Sequence, residues 1–366
     1  MQPAAVRPGS VMSKIRVLIV DDSAFLRRAI RSVLRSAPDI DVVGAARNGR
    51  EAIEQARSLD PDVITLDVNM PEMDGLAALP EVRKVCKAKV IMVSSHTAEG
   101  TQETLEALRL GADDFIAKDT GPELPGLIEK IRALGGARRV QPAIRMSPDT
   151  PRRAPIFRAD QFDIVVVGSS TGGPAVLETI FTAIPHPFPL PIVIAQHMPP
   201  LFTKSMAERL DRTCQVPAHH IDQPMVLEKG HLYLAEGGKH VKVRKRPGGV
   251  LGAEMGDTPR EAPYRPSVDE LFATTAEAVG GRALAVVLTG MGQDGLVGGR
   301  ALRAKGAKML AQNAETSVVY GMPRAVVEAG LVDAALTPVE LAQTLVQLAA
   351  AVSRPVPKAG TSRDAA

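Results

Sequence analysis

Short apolar runs rich in β-branched residues alternate with longer stretches of helical periodicity along this chain, and the alternation predicts two successive α/β blocks. In the first block, strands are predicted over Ile15–Val20, Asp41–Ala46, Val63–Leu66, Val90–Val93 and Phe115–Ala117. Helices are predicted over Ser23–Ser36, Arg50–Leu59, Leu76–Val85, Thr101–Leu110 and Gly126–Leu134, the first carrying Phe25, Leu26, Ile30, Val33 and Leu34 inward. Parallel strands require helical crossovers, so five βα units predict a doubly wound, flavodoxin-like domain over 15–135.

A second block spans 161–352. Ile164–Val167, Pro191–Ala195, Ala283–Leu288 and Lys308–Ala311 read as buried parallel strands. Val176–Ala183, Phe202–Arg212, Val268–Val279 and Gly295–Ala304 read as helices, and Thr337-Pro338-Val339-Glu340 opens a last one with a capping box. The pattern shortens at His231–Ala235 and His240–Arg246, which are broken by Glu236-Gly237-Gly238 and Pro247-Gly248-Gly249. That reads as an antiparallel hairpin region beside a doubly wound parallel sheet. Residues 1–14 read as a flexible leader with Met12 as an alternative start, 136–160 as a basic, proline-bearing linker, and 353–366 as a disordered tail.

Composition narrows the function classes. A hydrophobic content of 45% with 23% charged residues describes a soluble globular protein. No run of apolar residues is long enough to span a membrane, and no signal peptide opens the chain, so a cytoplasmic protein, not membrane-inserted, is expected. A net charge of +3 and the absence of Trp argue against a nucleic-acid partner. The two cysteines, Cys86 and Cys214, match no metal or disulfide spacing and read as reduced thiols.

Chemistry collects at strand ends. Asp21 and Asp22 close the first strand, Asp67 the third, Ser94 the fourth and Lys118 the fifth. Three carboxylates at one sheet edge repel one another unless a hard cation neutralises them, and Mg²⁺ suits oxygen ligands in an open geometry. Lys118 and Ser94 are suited to phosphoryl oxygens, Asp67 to in-line attack on a phosphoryl group, and the Asn69 carbonyl to the metal shell.

In the second block, Gly168-Ser169-Ser170-Thr171-Gly172 fits the G-x-S-x-G pattern that exposes a serine on a sharp turn; Ser170 is selected, with Ser169 as fallback. His197 follows the next buried strand and is the best-placed base; Asp294, in a Gly-flanked turn after another strand, would orient it. Backbone amides near Met291 and Thr171 are the expected oxyanion donors. The order Ser, His, Asp differs from that of standard α/β-hydrolases. A phosphate-binding turn at Ile164–Gly173 is the rival reading, but it lacks the dinucleotide and P-loop patterns and leaves His197 and Asp294 unexplained.

The segments Val17–Asp22, Asp67-Val68-Asn69-Met70-Pro71-Glu72-Met73-Asp74-Gly75 and Lys118 resemble the receiver domain of two-component response regulators. The resemblance implies phosphorylation of Asp67 by a histidine kinase, with Mg²⁺ on Asp22, Asp67 and the Asn69 carbonyl. Asp119 stands where receivers usually carry Pro. The three C-terminal motifs, with Tyr264-Arg265-Pro266-Ser267-Val268-Asp269 and Val319-Tyr320-Gly321-Met322-Pro323, closely resemble the chemotaxis protein-glutamate methylesterases, the CheB family. That resemblance implies a triad at Ser170, His197 and Asp294. It also implies hydrolysis of glutamate methyl esters on chemoreceptors, deamidation of receptor glutamines, and a receiver that covers the cleft until phosphorylated. Gln293 stands where the family often has Asn. A receiver driving a DNA-binding output is the alternative from another class, disfavoured by the absence of a compact helix-turn-helix.

Overall fold

The structure, a computed structural model, describes residues 14–95, 97–118, 124–139 and 154–350. Most of the expected leader, Asp119, residues 140–153 of the linker and the tail lie outside the described residues. The chain divides into two compact units, with the division in the linker.

The first unit is a five-stranded parallel sheet of β1 (Ile15–Val20), β2 (Ile40–Ala46), β3 (Val63–Asp67), β4 (Lys89–Ser94) and β5 (Asp114–Ala117), in the order β2-β1-β3-β4-β5. Between and after them run α1 (Ala24–Arg35), α2 (Gly49–Leu59), α3 (Gly75–Val85), α4 (Ala98–Arg109) and α5 (Leu127–Arg139). The first four helices start where a short polar side chain accepts an otherwise unpaired amide: Ser23 from Leu26, Asn48 from Glu51, Asp74 from Ala77 and Thr97 from Gly100. Gly75 is dictated by crowding, because a Cβ there would lie 2.1 Å from the Asp67 carbonyl oxygen. One inward expectation fails: Phe25 is 67% exposed, while Ile30 and Leu34 are buried. Phe25 sits about 140° around the helix from Ile30, off the core stripe.

The second unit is a seven-stranded, all-parallel sheet. Its strands are β6 (Ile164–Ser169), β7 (Ile192–Gln196), β8 (Ala218–Ile221), β10 (Leu232–Ala235), β13 (Ala283–Val287), β14 (Lys308–Gln312) and β15 (Ala334–Leu336), in the order β15-β14-β13-β6-β7-β10-β8. Helices α6 (Gly173–Phe181), α7 (Pro200–Thr213), α8 (Val268–Val279), α9 (Leu296–Ala304), α10 (Met322–Glu328) and α11 (Pro338–Ala350) accompany it. A small antiparallel sheet joins β9 (Met225–Val226), β12 (Leu251–Gly256) and β11 (His240–Lys245). Of the expected hairpin stretches His231–Ala235 and His240–Arg246, only the second forms one, with β12 across Pro247-Gly248-Gly249, and the break at Glu236-Gly237-Gly238 joins no hairpin. The first of these stretches is a parallel strand inside the large sheet, and the second pairs with β12. Strands β6, β7 and β13 are wholly buried, and β6 lies where the strand order reverses, with β7 on one side and β13 on the other. The crevice at the carboxyl ends of strands at such a switch point is where open α/β sheets bind ligands.

Candidate active site

Three neighbouring strands of the second unit deliver side chains to this crevice. The register sets Ser169 beside Gln196 and Gly168 beside Val287, so Ser170 and His197 leave adjacent strands at one level. The His197 amide donates to the Ser169 carbonyl at 3.0 Å, and the Ser170 amide to the Thr289 carbonyl at 3.0 Å. The Gln196 side chain ties the two turns together, donating from Nε2 to the carbonyls of Ser170 (2.9 Å) and His197 (3.3 Å). Its Oε1 accepts the Ser169 hydroxyl at 2.5 Å. Ser169 is fully buried and engaged there, whereas Ser170 is half-buried.

Two glycines permit this turn. Gly172 opens α6 at φ 76°, a conformation that strains a residue with a Cβ. At Gly290 a Cβ would lie 2.7 Å from that of Ser170, so the backbone at Gly290 runs directly against the Ser170 turn. Thr289 fixes that backbone: its amide donates to Gln312 Oε1, and its hydroxyl bridges the Thr171 carbonyl and the Val319 backbone. Met291 follows Gly290 in the chain, and buried Thr171 follows Ser170 in the turn.

His197 and Asp294 meet in the structure. His197 Nε2 lies 2.8 Å from Asp294 Oδ2, and both side chains are nearly enclosed. An ionised carboxylate can only accept, so Nε2 carries a proton, and in the neutral imidazole Nδ1 is then the acceptor. Nδ1 is buried without a hydrogen-bond partner among the described residues. Tyr264 stacks on the imidazole, with ring centroids 4.3 Å apart and planes within 12°.

Asp294 is held by the start of α8. Its oxygens accept from the amides of Val268 (2.7 Å) and Asp269 (2.8 Å) and from the Ser267 hydroxyl (3.1 Å). A helix N-terminus favours negative charge. Burial works against the Asp294 charge, but the His197 contact and these amides outweigh it and hold the carboxyl below its ordinary pKa. Asp269 faces the opposite balance: burial, reinforced by the charge of Asp294, pushes it up to about 6. Buried His240 steadies the junction, its Nδ1 accepting the Ser267 amide at 3.2 Å and its Nε2 donating to the Pro259 carbonyl.

Sequence reasoning gave Gln196, Tyr264, Ser267 and Asp269 no individual role, and set His240 aside as a hairpin residue. Ser267-Val268-Asp269-Glu270 does carry the serine-to-glutamate spacing of a capping box. Only half of that box forms: Ser267 Oγ accepts the Glu270 amide, while the Glu270 carboxylate pairs with Lys242.

The first unit gathers its acidic residues as expected. Carboxylate oxygens of Asp21, Asp22 and Asp67 lie within 4.8 Å of one another, and Lys118 Nζ reaches Asp67 at 2.7 Å and Asp21 at 3.2 Å. Burial pushes Asp67 up to about 6 despite Lys118. Beyond that lysine, Asp21 Oδ2 and Asp67 Oδ2 have no hydrogen-bond donor among the described residues. Three carboxylates against one ammonium suit a hard divalent cation. Asn69 is close, its amide 3.3 Å from Asp67 Oδ1 and its side chain on Glu103. The Ser94 hydroxyl is not brought to the carboxylates; it donates to the Gly100 carbonyl at 2.9 Å.

Residues 165–345 match the family model described as CheB methylesterase, and residues 17–131 that of the response regulator receiver domain. The chain is 42% identical to protein-glutamate methylesterase/protein-glutamine glutaminase 1 of Oleidesulfovibrio alaskensis, across 90% of this chain and 98% of that protein. It belongs to the CheB methylesterase family. Another family member, the protein-glutamate methylesterase/protein-glutamine glutaminase of Thermotoga maritima, is 41% identical across 91% of this chain and 98% of its own. The crystal structure of the Thermotoga maritima CheB methylesterase catalytic domain is 37% identical, covering 51% of this chain and 98% of that one, with a TM-score of 0.49. The receiver and methylesterase resemblances read from the motifs are thus borne out, as is the hydrolase class. Among the described residues no helix is long and apolar enough to cross a membrane.

Proposed function

We propose that this chain is a cytoplasmic hydrolase that removes methyl groups from glutamate methyl esters of chemoreceptors, releasing methanol, and deamidates receptor glutamines. The reading rests on one observation above the others: a nearly enclosed His197 side chain whose Nε2 lies 2.8 Å from Asp294 Oδ2 and whose Nδ1 has no hydrogen-bond partner among the described residues. Nδ1 takes the Ser170 proton as the hydroxyl oxygen attacks the ester carbonyl, and Asp294 stabilises the resulting imidazolium. The oxyanion is assigned to the amides of Met291 and Thr171. The imidazolium then protonates the departing methoxide, and water clears the acyl-enzyme by the same route. Amides leave less readily, so deamidation leans harder on the acid step.

The first unit acts as the phosphoacceptor in this proposal. Asp67 takes a phosphoryl group from a histidine kinase, Lys118 meets its oxygens, and Ser94 turns from Gly100 toward them. Asp21, Asp22, Asp67 and the Asn69 carbonyl would hold Mg²⁺, which neutralises charge there when bound. Ser170→Ala is expected to abolish methanol release from methylated receptor while leaving the protein folded. Methanol release at the wild-type rate in that variant overturns the assignment.

A further inference from the structure

We propose that Asp269, a carboxylate outside the Ser170, His197 and Asp294 set, is a positioning residue that holds the Asp294 turn in register with His197. The inference rests on the proposed reading of those three residues. Asp294 and Asp269 cap each other's helices. Asp294 accepts the Val268 and Asp269 amides at the start of α8. Asp269 Oδ1 in return accepts the amides of Gly295 (2.9 Å) and Gly298 (2.7 Å) at the start of α9. The Gly295 amide also lies 3.1 Å from Asp294 Oδ1, so a single donor is shared by both carboxylates. Gly295 directly follows Asp294, and whatever fixes its amide fixes the direction of the catalytic carboxylate.

The geometry leaves little slack. A Cβ at Gly298 would lie 2.3 Å from the Asp269 carbonyl oxygen, so α8 and α9 touch backbone to backbone. That contact sets the reach from the Asp269 backbone to the Gly298 amide at the length of one short side chain. Two like-charged carboxylates side by side are costly, and the amides of two helix N-termini offset the repulsion. The Gly295 amide lies between the two side chains, so an acceptor oxygen at this spot bears on the direction of Asp294 as well as on the start of α9.

The test uses the full-length protein, kcat and KM for methanol release, and the proton NMR signal of the His197 Nε2–H held by Asp294. Asp269→Asn keeps an oxygen in place and removes the charge. Asp269→Glu keeps the charge and moves its oxygens by one methylene. We expect the Asn variant within about threefold of wild-type kcat, with the signal retained, and the Glu variant lowered about tenfold or more, with little change in KM and the signal lost. A Glu variant equal to or better than the Asn variant in both readouts overturns the proposal. Ser170→Ala is run alongside: activity retained there defeats the triad reading, whereas the NMR signal still decides the role of Asp269.

Discussion

Tyr264 stacks against one face of His197, and the stack limits how far the imidazole can turn about its bond to the backbone. Such aromatic pairs contribute about 0.5–1.5 kcal/mol beyond buried area. Tyr264→Ala should therefore lower kcat about two- to tenfold, and Tyr264→Phe should leave it near wild type, because the ring and not the hydroxyl does the work. Steady-state methanol release checks both variants. Asp269 gives a second expectation, in stability. Its folded pKa of about 6 stands above the ordinary 3.8, so the folded state holds a proton that the unfolded chain releases. That contribution is complete below about pH 4 and is lost as pH rises through about 6. Asp269→Asn cannot titrate, so its denaturation midpoint should gain on that of wild type between about pH 4 and 7. A constant difference across that range would contradict the shift. Ser170, His197 and Asp294 could be proposed from the sequence because each follows a buried strand at one sheet edge. Their supports could not, because Gln196, Tyr264 and Ser267 act through contacts distant in sequence, such as Ser267 on Asp294, 27 residues away.

At the scale of elements, the close contact of α8 with α9 makes a sharp prediction. Alanine in a helix interior ordinarily stabilises relative to glycine, by about 0.5–1 kcal/mol. At Gly298 its Cβ would meet the Asp269 carbonyl oxygen at 2.3 Å, and overpacking of this kind costs about 1–3 kcal/mol. The clash wins, so Gly298→Ala should lower the urea midpoint and, by lifting α9 from Asp269, lower kcat as well. A midpoint at or above wild type would show that α9 shifts at no cost. Most elements were readable because helices crossing between parallel strands leave a clear change of period. The edge strand β8 was not, since Ala218-His219-His220-Ile221 lacks the apolar run of a strand buried on both faces. Leu232–Ala235 was misassigned for a related reason. Four buried residues before a glycine pair read equally as one arm of a hairpin, and only pairing with β7 and β8 distinguishes the two.

At the scale of the whole molecule, the acidic cluster and the serine crevice stand in separate compact units, so any control of one by the other has to pass through a change of state in the first. The cluster is built for such a change. Lys118 is the only cation paired with Asp21 and Asp67 among the described residues, and Ser94 is tied to α4 through Gly100. In the proposed function a phosphoryl group on Asp67 would add charge and three strong acceptors, which would draw Lys118 and release Ser94 from α4. Coupling between sites typically amounts to about 1–3 kcal/mol, or about 5–150-fold. Methanol release by the full-length protein should rise within that range on addition of a small phosphodonor with Mg²⁺. Asp67→Asn should show no rise, and chelation of the metal should remove the rise in wild type while the basal rate persists. An equal response in Asp67→Asn would place the effect of the donor elsewhere. A flat response in wild type, with Asp67 shown by mass to be phosphorylated, would separate the two units as independent functions on one chain.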